Sequence, residues 1–443
     1  MIDKICWILL LNLIFYFKTI YFSYVSDDVQ SSNRPKEKNK FWQAFWVFEG
    51  KLKSTPQADH ALTMVLHALV CVGIYLGLGK NDISFLAALL FAFNPINNQG
   101  AVWISGRGYV LSTLGMVWTL AIPVLGPLFL VGATYSNAGF IFPIVLAGSP
   151  HPELLLFMPV AWWFNGRRFK RNVILKINME MYTEDKKVHP KKLILATKTF
   201  GFYLIHSIIP IKTSFYHSLL ESIAGSKVKN AYSFCRFFWL GAVGLAVMLW
   251  YICTHRWDMI SFGILWWCVG IAPFINLMRM QQELGERYAY LPNVGLMVIL
   301  ATFIHSYSIV VGAWLAVYAT KTWFYINGYK DDYWLVEHAR INCPDSWFAW
   351  HIAGMKRWEV GSRHEAMCMW TMAKILSPKE FKVLYNLSTA LCAHGNIAEA
   401  VQFLKMAEDN IPPGQEKMAT DLITGSRKNI ETKGKEGALT ILI

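Results

Sequence analysis

Charge is scarce in this chain: 16% of its 443 residues are charged against 54% apolar, and the mean hydropathy is +0.32. A soluble globular chain carries about a quarter of its residues charged, so the scarcity excludes an ordinary soluble enzyme and points to a polytopic membrane protein. Acidic residues are the rarer kind, 29 against 42 basic, which leaves a net charge of +13. The cations collect between apolar runs, so they are assigned to lipid headgroups and topology, and no nucleic-acid partner is expected. Cysteine pairing is also missing. The eight cysteines (Cys6, Cys71, Cys235, Cys253, Cys268, Cys343, Cys368, Cys392) include no CxxC pair, and most lie in apolar runs as small core residues. No metal constellation has a plausible spacing, and no metal or cofactor is expected. No small-residue cleavage site follows the first apolar run, which Lys4 precedes, so that run is expected to stay as a signal anchor.

What is present is a series of apolar runs. About 20 helical residues cross a bilayer core of roughly 30 Å. Eleven runs qualify loosely, near 5–25, 61–79, 83–94, 109–125, 127–148, 154–165, 193–210, 232–253, 258–277, 289–304 and 308–326. The fold class is therefore all-α, a polytopic helical membrane domain over 1–328 followed by a soluble helical domain over 329–443. The densest basic stretch, "NGRRFKRN" (165–172), is placed in the cytoplasm. That puts the N-terminus inside, and the acid pair of "YFSYVSDDVQSSN", Asp27 and Asp28, outside. The outer loop 26–58 carries "FWQAFWVF" (41–48), which has the make-up of an interfacial aromatic helix. Against the rule, "RPKEKNK" (34–40), Lys51 and Lys53 also fall outside; either the orientation is reversed or these cations meet an anionic partner.

Beyond about residue 330 a period appears. Aligning 347–378 with 381–412 places Gly361 over Gly395, Ala366 over Ala400, Ala373 over Ala407 and Pro378 over Pro412. Each pair is separated by about 34 residues, the tetratricopeptide period, in which small residues let paired helices approach and proline ends the second. Such arrays hold a peptide or partner protein, and two repeats leave an end that an additional subunit can cover. The tail is expected on the outer side with Asp27 and Asp28.

Ionisable groups at membrane depth are costly and usually line a cavity. Here they sit at the outer ends of runs: Asp27 and Asp28, His60, "NPINNQGAVWISGRGY" (94–109) and "QQELGERYAYLP" (281–292). His67, His206 and His217 are read as packing groups rather than ligands.

The order of these stretches, with "HALTMVLHALV" (60–70) and "GERYAYLPNVGL" (285–296) before the repeats, resembles the transmembrane and TPR repeat-containing O-mannosyltransferases and their prokaryotic relatives. That family comprises membrane glycosyltransferases of the GT-C class. The resemblance implies transfer of a single sugar, mannose in the family, from a polyprenyl-phosphate donor to Ser or Thr of a protein acceptor. The membrane would be the endoplasmic reticulum in a eukaryote, the plasma or inner membrane in a prokaryote. Transfer of this kind needs a base for the acceptor hydroxyl and cations for the leaving phosphate. Asp28 is the expected base, with Asp27 as the alternative acid. Arg107 and Arg287 are the expected phosphate ligands, because a guanidinium holds phosphate bidentately. Glu286, His60, Asn97 and Gln99 are placed at the sugar or acceptor. The chain departs from the family where His-Pro-x-His-Thr-Glu-Ala-Val and Gly-Arg-x-Asp are usual: it has Asn94, Asn97 and Gln99, then Tyr109. Gln99 and Asn97 hydrogen-bond but take no proton. An inactive scaffold that keeps the fold and the repeats is therefore the competing reading. A transporter is disfavoured, since it would show polar residues at mid-membrane and symmetry between halves.

Overall fold

The computed structural model describes residues 1–28, 55–134, 142–165, 190–210, 212–217, 234–277, 284–411 and 416–432. Every regular element among them is helical. The segments 34–40 and 41–48, the basic stretch from 166 onward and Pro412 lie outside the described residues.

The apolar helices come first: α1 (Ile2–Tyr16), α2 (Pro56–Gly77), α3 (Asp82–Phe93), α4 (Arg107–Ala121), α5 (Gly126–Ala133), α6 (Pro190–Ile208), α7 (Arg236–Thr254), α8 (Met259–Ile271), α9 (Tyr290–Ile304) and α10 (Ser308–Tyr325). Local chemistry fixes their starts. Thr55 accepts the Ala58 amide at 3.2 Å ahead of Pro56, and Asn81 with Ser84 forms a capping box on α3. Five helical stretches are long and apolar enough to cross a membrane: Ile2–Tyr21, Pro56–Gly77, Arg236–Thr254, Glu286–Ile304 and Ser308–Tyr329. Asp82–Phe93, Pro123–Ala133 and Met259–Phe274 are apolar but shorter.

Eleven full-length spans are thus not what the described residues form. The run expected over 127–148 is α5 followed, past the undescribed residues 135–141, by a 3-10 stretch, Phe142–Gly148. The run over 154–165 starts inside another, Pro152–Phe157. Pro123 stands between α4 and α5, and Pro143 and Pro152 stand in the first turns of the two 3-10 stretches, where each removes a donor and crowds the preceding turn.

The central helices α3 and α9 are buried on nearly every face, whereas α7 buries only Gly241 and exposes Trp239, Val243, Val247 and Trp250. An apolar helix with its side chains outward is placed to meet lipid. Small residues let the buried helices touch: a Cβ on Gly263 would stand 2.8 Å from the Gly295 carbonyl, so α8 and α9 cross backbone to backbone.

After Tyr329 the helices turn polar outside and apolar inside. α11 (Asp332–Asn342) leads into two pairs, α12 (Trp347–Glu359) with α13 (Arg363–Leu376) and α14 (Phe381–Ala393) with α15 (Ile397–Glu408); α16 (Glu416–Thr432) follows. Trp347 and Phe381 open the first helix of each pair, Arg363 and Ile397 the second, so the pairs recur at the period read in the sequence. Gly361 and Gly395 both take φ +83° between the helices of a pair, the left-handed turn that glycine adopts without strain. Ala366, Ala373, Ala400 and Ala407 are fully buried at the helix contacts. One continuous apolar core runs from Ile8 through Trp266 and Leu335 to Ala390, so the polar helices are packed onto the apolar ones.

Candidate functional site

The chain leaving α1 reaches Ser26, whose φ of +54° turns the backbone sharply before the acid pair. The two acids then part. Asp28 is buried, and its Oδ1 accepts from the Ser105 amide at 2.8 Å and the Ser105 hydroxyl at 2.6 Å, while Oδ2 lies 3.5 Å from the Val25 amide. Burial pushes its pKa up to about 7, although the Ser105 and Val25 bonds pull the other way. Asp27 is exposed, the more reachable of the two carboxylates.

Ser105 precedes Arg107, so the same turn that grips Asp28 delivers a guanidinium to the N-terminus of α4. Arg107 is fully buried, and it is committed. It donates to the Thr63 hydroxyl at 2.9 Å, to the Asp59 carbonyl at 2.6 Å and to Asp59 Oδ1 at 3.1 Å. Tyr24 donates to the other oxygen of Asp59 at 2.8 Å. Beside this pair, His60 Nε2 lies 3.4 Å from the Ser23 carbonyl, with the Phe22 ring edge-on to the imidazole.

The late stretch arrives from the opposite side. Gln99 accepts the Arg287 amide at 2.8 Å, and Asn97 accepts from Asn293 at 2.9 Å, so the 94–109 segment and the start of α9 are hydrogen-bonded together. Gly106 makes this fit possible, since a Cβ there would stand 2.7 Å from the Gln99 carbonyl. Arg287 sits among rings: its guanidinium lies 5.2 Å from Trp103 and 4.6 Å from Tyr288, donates to the Tyr288 hydroxyl at 3.1 Å, and is hydrogen-bonded to Tyr109. Glu286 faces away from it. Its Oε1 accepts from the Ser214 amide at 2.6 Å and meets His217 Nε2 at 2.8 Å.

Six buried polar atoms on these segments lack an internal hydrogen-bond partner: His60 Nδ1, Asn98 Nδ2, Gln99 Nε2, Trp103 Nε1, Glu286 Oε2 and Asn293 Oδ1. Buried polar atoms are normally paired with protein or ordered water, so these six are positions on the candidate segments that a water or another polar group would satisfy. Among the described residues no group of three or more His, Cys, Asp or Glu side chains is placed to hold a metal ion. No family model, curated protein or solved structure matches this chain.

All eight residues expected at the site lie on segments that meet here. Sequence reading missed the groups that hold them: Asp59 and Tyr24 around Arg107, Ser105 under Asp28, and His217 on Glu286. Asp59 had one legible signal, its i,i+4 spacing from Thr63, which puts both on the face of α2 that Arg107 occupies. His67, by contrast, is a packing group at mid-helix, 2.6 Å from the Tyr290 hydroxyl with the Tyr16 ring beside it.

Proposed function

We propose that this chain is a membrane glycosyltransferase of the GT-C kind. It moves a single sugar, mannose by resemblance, from a polyprenyl-phosphate donor to a Ser or Thr hydroxyl on the non-cytoplasmic side. The observation that carries the reading is the gathering of acids, two arginines and unpaired polar atoms at one face of an otherwise apolar helical body. The two recurring helix pairs serve as tetratricopeptide-like repeats that hold the protein acceptor next to that face.

The geometry redistributes the roles within the site. Asp27, the exposed acid, takes the proton of the acceptor hydroxyl. The acceptor oxygen then attacks the anomeric carbon as the bond from that carbon to the phosphate oxygen breaks, and the phosphate leaves as an anion that needs no general acid. Arg287 holds that phosphate, with Trp103, Tyr109 and Tyr288 framing the guanidinium and offering faces to the sugar. Arg107 is taken up by Asp59, so it acts by fixing the turn that carries Ser105 and Asp28 rather than by touching the donor. Gln99 and Asn97 set the position of the Arg287 segment, and His60 offers Nδ1 to a sugar hydroxyl.

A second reading, a scaffold that has lost catalysis, is favoured by a specific observation: neutral Gln99 and Tyr109 stand where the family resemblance expects acids, and both are spent on Arg287. One experiment separates the two. Purified protein receives radiolabelled mannosyl polyprenyl phosphate and a Ser/Thr-rich acceptor, and wild type is compared with Asp27→Asn and Asp28→Asn. Transfer by wild type that collapses in Asp27→Asn supports the enzyme. Absence of transfer from mannosyl and other common lipid-linked sugars, with donor still bound, leaves the scaffold.

A further inference from the structure

Where α11 meets the first helix pair, the structure assembles a thiol, an imidazole and a carboxylate in line. Cys343 Sγ lies 3.2 Å from His217 Nδ1, and His217 Nε2 lies 2.8 Å from Glu286 Oε1. Glu286 is further fixed by the Ser214 amide, while its Oε2 is buried without a partner. A nucleophile within hydrogen-bond reach of a base, with the base oriented by a third group, is the arrangement of an activated thiol. The sugar-transfer reading uses neither Cys343 nor His217. Cys343 is 6% exposed, but it lies in the turn between α11 and α12, next to exposed Pro344. Burial disfavours a charged imidazole, yet Cys343 and Glu286 outweigh it and push the His217 pKa up to about 10. The proton that moves between sulfur and imidazole therefore has a defined place to reside.

We infer that Cys343 is a thiol-exchange site that forms a mixed disulfide with a low-molecular-weight disulfide. The Cys343 sulfur attacks one sulfur of the incoming S–S bond, that bond breaks, and the displaced thiolate takes the proton that His217 accepted from Cys343. One disulfide and one protein thiol become one mixed disulfide and one small thiol, with no further oxidant. Because His217 joins the Cys343 turn to Glu286, the neighbour of Arg287, the adduct removes one of the contacts between the polar helices and the outer face.

The test uses full-length protein in detergent with oxidised glutathione, and peptide mass spectrometry follows each cysteine. Cys368, exposed on α13, is the internal reference. The expected result is glutathionylation of Cys343 at a higher rate than Cys368, although Cys343 is the less exposed of the two. His217→Gln is expected to slow Cys343 about 100-fold, the low end of what a positioned proton acceptor supplies, and to leave Cys368 unchanged. Two results overturn the assignment: Cys343 unmodified while Cys368 reacts, or Cys343 reacting no faster than Cys368 in wild type. The wild-type comparison decides even where His217→Gln does not fold.

Discussion

The two acids after α1 are neighbours in sequence and opposites in environment. Asp28 is buried with a pKa of about 7, above the roughly 4 of an unfolded aspartate, so the folded protein binds that proton the more tightly. Its contribution is therefore whole below about pH 4, declines between pH 4 and 7, and is lost above, a swing on the order of 4 kcal/mol. Melting in detergent should show the midpoint of wild type falling across that window more steeply than that of Asp28→Asn, whose amide oxygen still accepts from Ser105. A variant whose slope equals that of wild type would contradict this. At Arg107 the expectation is a coupling. Arg107→Met leaves the buried Asp59 carboxylate with the Tyr24 hydroxyl but no counter-ion and should cost about 3–5 kcal/mol, much of it recovered when Asp59→Leu is added. Sequence alone made Asp28 and Arg107 visible as polar groups at span ends, but not their partners. Asp59 is a first-turn acid of α2 whose spacing from Thr63 does not name its partner, and only the fold brings Arg107, 48 positions on, against it.

At the scale of elements, the apolar runs were legible because hydropathy needs no partner, and their lengths were not. α5 and the 3-10 stretches after it show prolines overriding an apolar composition that would otherwise extend the helix. The period of the C-terminal helix pairs was legible because it depends on small residues and glycine at turns, which packing and backbone geometry demand locally. It follows that Gly361→Ala and Gly395→Ala, each at φ +83° with no atom within 4 Å of the added Cβ, should destabilise through backbone strain alone. About 1 kcal/mol each is expected, roughly additive, as read by denaturant titration of the helical signal. Gly295→Val is a packing case instead, because a side chain there meets the α8 backbone; it should sharply lower the yield of folded protein.

For the whole molecule, the core that runs unbroken from Ile8 to Ala390 predicts that the apolar helices and the first polar ones unfold together. Calorimetry in detergent should give one transition, and two well-separated ones would show that the halves are independent. The Ser26 amide donates to Asp332 Oδ1 at 2.7 Å, and Lys356 on α12 holds the other oxygen at 3.1 Å. Asp332 therefore positions the turn into the acid pair, and under the proposed function Asp332→Asn should weaken sugar transfer chiefly through kcat. Ser26 and Asp332 are 306 positions apart in the chain. During synthesis the acids emerge early and their support emerges after the last apolar helix, so the turn that carries them is finished only when the polar helices from Asp332 on have arrived and docked. Until then a nascent chain carries the candidate residues without their geometry, and their ordering waits on helices made about 300 residues later.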